Sequence, residues 1–207
     1  MKVYFVRHGE TKYNKECLHQ PKDVELSELG TKQAKVLAKR FSKIPINIIY
    51  SSSLKRAKQT AKVINKTIKK KLICSDLLRE RKGPSELVGK KVDGREAMKI
   101  NKLSNLHQDD PLWHYSNEEN YIEFKERMKK AVKLFSGLKR EDILVVSHSG
   151  TIKMLIFLMI FSENIKPKFF YEFADSFKTY NTGITLCEKN EKGKWIVRVF
   201  NDHAHLG

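Results

Sequence analysis

The sequence predicts an α/β fold, and three observations carry that expectation. Apolar, β-rich runs alternate with stretches whose apolar residues recur at helical spacing. Two of those runs, Lys2–Val6 and Asp142–Ser147, stop abruptly at polar residues rich in chemistry, Arg7-His8-Gly9 and His148-Ser149-Gly150. The chain's 207 residues, 40% of them hydrophobic and 31% charged, suffice for one large domain with a buried core.

Taken in order, residues 2–6 form the first strand. Leu26, Leu29, Ala34, Leu37, Ala38 and Phe41 then recur at helical spacing, so Leu26 to Phe41 reads as a helix with Ser27 as its N-cap. Ile46 to Tyr50 is a short strand, and Ser51-Ser52-Ser53 leads into a helix from Leu54 to about Ile68. Lys71 to Ser75 is the third strand. From Arg79 to Pro111 the pattern weakens, interrupted by Gly83, Pro84, Gly89 and Gly94, with one short helix near Arg95–Leu103. Tyr121 to Leu138 is a helix, Asp142 to Ser147 a strand and Thr151 to Phe161 a buried helix. Asn181 to Glu188 and Trp195 to Phe200 are two further strands joined by the turn-like Asn190–Lys194. No internal repeat or linker divides this series. A single domain over residues 1–207, with a loop-rich cap inserted at about 81–120, is the economical expectation.

Composition narrows the class. Cys17, Cys74 and Cys187 are far apart and odd in number, which indicates neither a zinc site nor a disulfide framework and fits reduced thiols in the cytoplasm. The apolar residues 2–6 are too few for a signal peptide. The longest apolar run, Met154 to Phe161, is far shorter than the ~18 residues of a membrane span. The formal charge of +17 is unusual, but only nine of the 41 basic residues are Arg and the lysines are spread along the whole chain. That pattern reads first as a solvated surface and second as a field that draws anionic esters. Nucleic-acid binding, which favours one basic face with aromatics or Arg, ranks behind both. Oligomeric state is not legible.

Four segments can carry chemistry. The first strand delivers Arg7 and His8 into a loop softened by Gly9: a forked donor suited to phosphoryl oxygens and a nucleophilic imidazole. A solvated basic turn is the plain alternative. In the second, Ser51-Ser52-Ser53 precedes a helix with Arg56 in its first turn, where anions are favoured; from the local sequence alone, an exposed Arg on a capped helix is the favoured reading. The third ends the strand Ile143–Val146 in Ser147-His148-Ser149-Gly150, a second strand-terminal histidine. The fourth, Leu78-Arg79-Glu80-Arg81, offers a carboxylate that local sequence alone would pair with Arg79 or Arg81 on the surface.

Together these segments resemble the histidine phosphatase superfamily, which includes cofactor-dependent phosphoglycerate mutases. Arg7-His8-Gly9-Glu10-Thr11 is similar to its signature, Arg56-Ala57-Lys58-Gln59-Thr60-Ala61 to its Arg-Ala-x-x-Thr-Ala segment, and His148 to its second histidine. Ser149 stands where the family has Gly, with Gly150 one place later. Asn14 sits where the family has an Asn near the phosphate, and His19-Gln20 stand where Gln-Gly is common. Glu119 and Arg127 match a Glu-then-Arg spacing of structural character. Asn201-Asp202-His203-Ala204-His205-Leu206 is similar to the family's His-Leu tail rather than to a metal-binding His-x-His pair.

The resemblance implies a three-layer α/β/α sandwich around a mostly parallel sheet, phosphoglycerate mutase-like, with a small cap. It also implies a mechanism. His8, Glu80 and His148 are the catalytic residues, with His8 attacking phosphorus and Glu80 protonating the leaving oxygen. Arg7 and Arg56, with Asn14 and the Ser149 backbone, bind the phosphate, and water then hydrolyses the phosphohistidine. No metal and no cofactor are expected, and the partner is a small phosphorylated metabolite. The distance from Glu80 to His148 is short for a mutase, which favours hydrolysis. A phosphoglycerate mutase, and a non-catalytic phosphate or RNA binder on the same fold, are the alternatives.

Overall fold

A computed structural model of the chain describes residues 1–138, 141–161 and 165–207. Alternation within the strands builds its core. In β1 (Lys2–Arg7), Val3 and Phe5 face one side of the sheet while Tyr4 and Val6 face the other. In β4 (Ile143–Ser147), Ile143 and Val145 join the first side, Leu144 and Val146 the second. Strands buried on both faces need helices on both, and the helical segments supply them. On one side lie α2 (Glu28–Phe41) and α3 (Lys55–Ile68), contributing Leu37, Phe41, Ala57, Ala61 and Ile64. On the other lie α5 (Tyr121–Ser136) and α6 (Ser149–Ile160), with α7 (Pro167–Ser176) packed on α6. The result is the three-layer sandwich.

The remaining elements are α1 (Lys12–Lys15), β2 (Ile48–Ser52), β3 (Lys71–Ser75), α4 (Arg95–Leu106), β5 (Ile184–Lys189) and β6 (Trp195–Asp202). The six strands run in the order β3-β2-β4-β1-β5-β6. β1, β2, β3 and β4 pair in parallel, while β5 and β6 are added antiparallel. Because Arg7 pairs with Ser147, the residues that follow, His8 and His148, leave the sheet side by side. Ser51 pairs with Val146, so β2 ends at the same level. Three adjacent parallel strands thus stop together at their carboxyl ends, where open α/β sheets bind ligands.

Several boundaries differ from the sequence reading. β2 begins at Ile48, because Ile46 anchors a loop, and it continues through Ser52 into the hydroxyl-rich run. α4 extends to Leu106. β5 starts only at Ile184, since Thr182 takes a left-handed φ of 60° that ends strand geometry. α7 and the short α1 have no counterpart in the sequence reading. In α7 Pro167 sits at the first turn, where proline suits a helix start, a signal that the sequence reading did not use.

The loop after β1 is seated on the first turn of α2. Ser27 caps that helix, its backbone N–H donates to the Glu10 carbonyl (2.9 Å) and its hydroxyl donates to Glu10 Oε1 (2.8 Å). Gln33 Oε1 accepts from the Glu10 N–H at 2.9 Å. The approach requires two glycines. A Cβ on Gly30 would lie 2.0 Å from the Glu10 carbonyl oxygen, and one on Gly9 would lie 2.5 Å from that of Gly30.

Helix propensity alone would make Gly30→Ala stabilising by up to about 1 kcal/mol. The backbone contact reverses the sign, and urea unfolding should show a loss of about 1–3 kcal/mol, the usual range for overpacking. A stabilised variant would show that the loop is not pressed against the helix.

Candidate active site

His8 and His148 are almost fully buried, and their ring centroids lie 5.1 Å apart. His8 Nδ1 is 2.7 Å from the Gly9 carbonyl. A carbonyl only accepts, so Nδ1 carries the proton and Nε2 keeps its lone pair. Arg56 Nε donates to that lone pair at 3.3 Å. Burial pushes the His8 pKa well below its ordinary value of 6.5, and the Arg56 and Arg7 charges push it further down. His148 is depressed in the same way, by burial first and then by Arg56, His8 and Arg7. Both rings are therefore neutral near pH 7, as a nucleophilic imidazole must be. His148 Nε2 lies 2.8 Å from Ser52 Oγ, while its buried Nδ1 has no hydrogen-bond partner among the described residues.

Two guanidinium groups flank the histidines. Arg7 NH1 donates to the Thr179 carbonyl at 2.7 Å, and its buried Nε is unpartnered among the described residues. Arg56 NH1 donates to the carbonyls of Pro21 and Lys22 at 3.2 and 3.4 Å. Burial brings the Arg56 pKa down to about 10 against an opposing pull from Glu80, and burial likewise lowers the Arg7 pKa against the same opposing pull. The Arg-Ala-x-x-Thr-Ala spacing has a physical reading. Ala57 and Ala61 are fully buried against the sheet, while Thr60 Oγ1 donates to the Arg56 carbonyl (2.9 Å) and accepts from the Gly9 N–H (3.0 Å). One hydroxyl therefore ties the Arg56 turn to the His8 loop.

Glu80 is not the surface carboxylate that local sequence allowed. Arg79 pairs with Asp76 instead, and Arg81 Nε donates to the Glu119 carbonyl. The chain before Glu80 is held through its carbonyls: Leu77 and Arg79 accept from Arg127 NH1, Leu78 from Ser147 Oγ, and Arg79 also from Thr151 Oγ1. Arg127 is in turn clamped by both oxygens of Glu119, at 2.7 and 2.6 Å, the structural use that their spacing implied. So held, the Glu80 carboxylate reaches the first turn of α6 and accepts from the N–H groups of Gly150 (3.1 Å) and Thr151 (3.0 Å). A Cβ on Gly150 would stand 2.8 Å from Glu80 Oε1. The glycine that follows Ser149 is what admits the carboxylate.

The other two predicted residues are less central. Asn14 Oδ1 caps α1 by accepting from Thr11, and among the described residues its link to the site runs through Asn181, whose Nδ2 donates to Asn14 Oδ1 and to the His8 carbonyl. Ser149 Oγ accepts from Thr179 Oγ1 at 2.7 Å. Sequence reasoning missed Ser52, Thr179 and Asn181. Ser52 stood in a run of serines that signalled only a turn, Asn181 read as the first residue of a strand, and Thr179 lay just before it. A cavity of about 710 Å³ opens above Arg56 and Glu80, walled by Pro21 and Lys22 on one side and by Arg81, Lys82, His114 and Asn117 on the other. Among the described residues no group of three His, Cys, Asp or Glu is placed to hold a metal ion, and no helix is long and apolar enough to cross a membrane.

The family model of the histidine phosphatase superfamily (branch 1) matches residues 3–203. The chain belongs to that superfamily. A Schizosaccharomyces pombe protein named a probable phosphatase is 32% identical over all of this chain and 95% of its own. A metal-independent phosphoserine phosphatase of Arabidopsis thaliana is 28% identical, covering 99% of this chain and 82% of its own. Among solved structures, a phosphoserine phosphatase of Entamoeba histolytica in complex with 3-phosphoglyceric acid superposes with a TM-score of 0.80 at 27% identity, over 100% of this chain and 99% of that one. A mutant of the same enzyme holds phosphoserine.

Burying two neutral histidines sets an acid limit on stability. Below about pH 6.5 the unfolded chain takes up protons at His8 and His148 that the folded chain refuses, so stability falls as pH drops; above it these sites contribute no slope. Each histidine contributes up to about 1.4 kcal/mol per pH unit in that window. Urea unfolding should show a clear loss between pH 6.5 and 5.5, flattened in the His8→Asn/His148→Asn double variant. An equal loss in that variant would locate the acid sensitivity elsewhere.

Proposed function

We propose that this chain hydrolyses small phosphomonoesters through a covalent phosphohistidine on His8. The supporting observation is a neutral imidazole whose Nε2 lone pair is fixed by the Nδ1–Gly9 hydrogen bond, amid Arg7, Arg56 and His148. Nε2 attacks phosphorus, the phosphorus–oxygen ester bond breaks, and Glu80 gives its proton to the departing oxygen. The two arginines and His148 hold the non-bridging oxygens, supplying without a metal the charge that phosphoryl transfer requires. Water then attacks the phosphohistidine, its proton returns to Glu80, and the nitrogen–phosphorus bond breaks to release inorganic phosphate.

Family membership and phosphatase-named relatives spanning nearly the whole chain support hydrolysis. The ligands of the Entamoeba enzyme, phosphoserine and 3-phosphoglyceric acid, support a small phosphorylated metabolite as substrate. In this reading the chain is one catalytic domain. Residues 81–120, together with the 19–22 loop, form the cap over the leaving-group side of the site, and the excess of lysine attracts anionic esters.

Rapid quench with a labelled phosphomonoester should trap an acid-labile, base-stable adduct that is missing in His8→Ala. Finding the adduct on His148 would reassign the nucleophile. The role of Glu80 is separable, because a general acid matters most for a poor leaving group. Glu80→Gln should slow phosphoenzyme formation far more on an alkyl phosphate than on p-nitrophenyl phosphate, by about 10²–10⁴-fold against a small factor. Equal slowing on both substrates would remove Glu80 from that role.

A further inference from the structure

We infer that Ser52 is a positioning residue that fixes His148 as a neutral hydrogen-bond donor toward the phosphoryl group, an inference that rests on His8 being the phosphorylated residue. Ser52 closes β2, fully buried, on the strand that flanks β4 opposite β1. His148 therefore emerges between Ser52 and His8. Ser52 Oγ has two neighbours among the hydrogen bonds of the described residues: the Leu54 N–H, which donates to it at 3.2 Å, and His148 Nε2 at 2.8 Å.

An N–H cannot accept, so the Ser52 hydroxyl proton has one acceptor within reach, the Nε2 lone pair of His148. The alternative, Nε2–H donating to Ser52, would leave a buried hydroxyl proton unpaired, at a cost of roughly 1–3 kcal/mol. With Nε2 accepting, the proton of the neutral ring must sit on Nδ1. That nitrogen is the buried atom of His148 with no partner among the described residues. A donor buried beside Arg7 and Arg56 and unmatched by protein is suited to an anionic oxygen. Burial and the neighbouring cations keep the ring from simply becoming an imidazolium. Ser52 thus gives a neutral histidine the donor polarity that an anion requires. The chain from the Leu54 N–H through Ser52 to His148 links the first turn of α3, which carries Arg56, to the second histidine.

The protonation pattern is measurable by long-range ¹H–¹⁵N correlation spectra of the folded protein labelled at histidine, with His148 assigned by its loss in His148→Gln. The expected result is a pyrrole-type Nδ1 and a pyridine-type Nε2. In Ser52→Ala the proton should redistribute to Nε2, and single-turnover phosphoenzyme formation should fall by up to about 100-fold, near the lower end of what removing a preorganised donor costs. Ser52→Thr, which keeps the hydroxyl, should recover both the tautomer and most of the rate. A pyrrole-type Nε2 in the unmodified protein overturns the inference, with no variant needed. So does a Ser52→Ala protein that keeps the tautomer and the rate. Failure of the phosphohistidine reading would register separately, as the absence of an adduct on His8 in the unmodified protein.

Discussion

The parallel register between β1 and β4 pairs Arg7 with Ser147, and most of the site depends on it. A slip of one residue would turn every side chain of one strand to the opposite face of the sheet. Val3 and Phe5 would then exchange places with Tyr4 and Val6, and both layers of core would be lost together with the site. The apolar alternation that stabilises the sandwich is thus the same constraint that sets His8 beside His148. Extending the register to β2 brings Ser52 to the same level, which is why three separate strand ends meet at one point.

Around that point the chain buries more positive charge than it neutralises. Arg7 and Arg56 are held mainly by backbone carbonyls, and Glu80 is the carboxylate whose charge acts on both. Such burial opposes folding in the ligand-free protein, and the cost is spread over the helices and loops that clamp the residues in place. Thr60, Arg127 and the Gly9–Gly30 contact belong to that scaffold. In the proposed function, an anion of the charge and shape of a phosphoryl group would relieve the excess, so that binding and charge stabilisation would share one origin in the preorganised cations.

The side that the proposed function assigns to the leaving group is built differently. Its walls come from loops rather than strand ends, and the 81–120 excursion is fastened to the 16–19 segment by backbone hydrogen bonds: His19 N–H to the Lys90 carbonyl, Gly89 N–H to His19 and Val92 N–H to Cys17. Only Leu87, Ala97 and Ile100 form a small core of their own there. In that reading the carboxyl ends of the central strands fix the phosphoryl half of the site, while a loop segment with its own small core forms the other half. Variation in substrate is best tolerated where loops sit on a rigid scaffold.

By itself the sequence determined the α/β class and the order of nearly all the elements, and it singled out Arg7, His8 and His148 as candidates because they follow strand ends. Arg56 stood at a helix start, where local pattern favoured an exposed side chain, and only the family resemblance marked it for the site. Glu80 was legible only through its resemblance to a family segment, because nothing local distinguishes it from a surface carboxylate. What holds it, Arg127 and the first turn of α6, is about 50 to 70 residues away. Tertiary structure alone decided that Gly150 admits Glu80, that Asn14 serves a cap, and that Ser52, Thr179 and Asn181 belong to the site. Their partners lie on distant segments, and hydroxyl and amide side chains carry no periodic signature that a sequence could display. The protonation pattern of the two histidines is the extreme case: it depends on single hydrogen bonds, which exist only once the strands have paired.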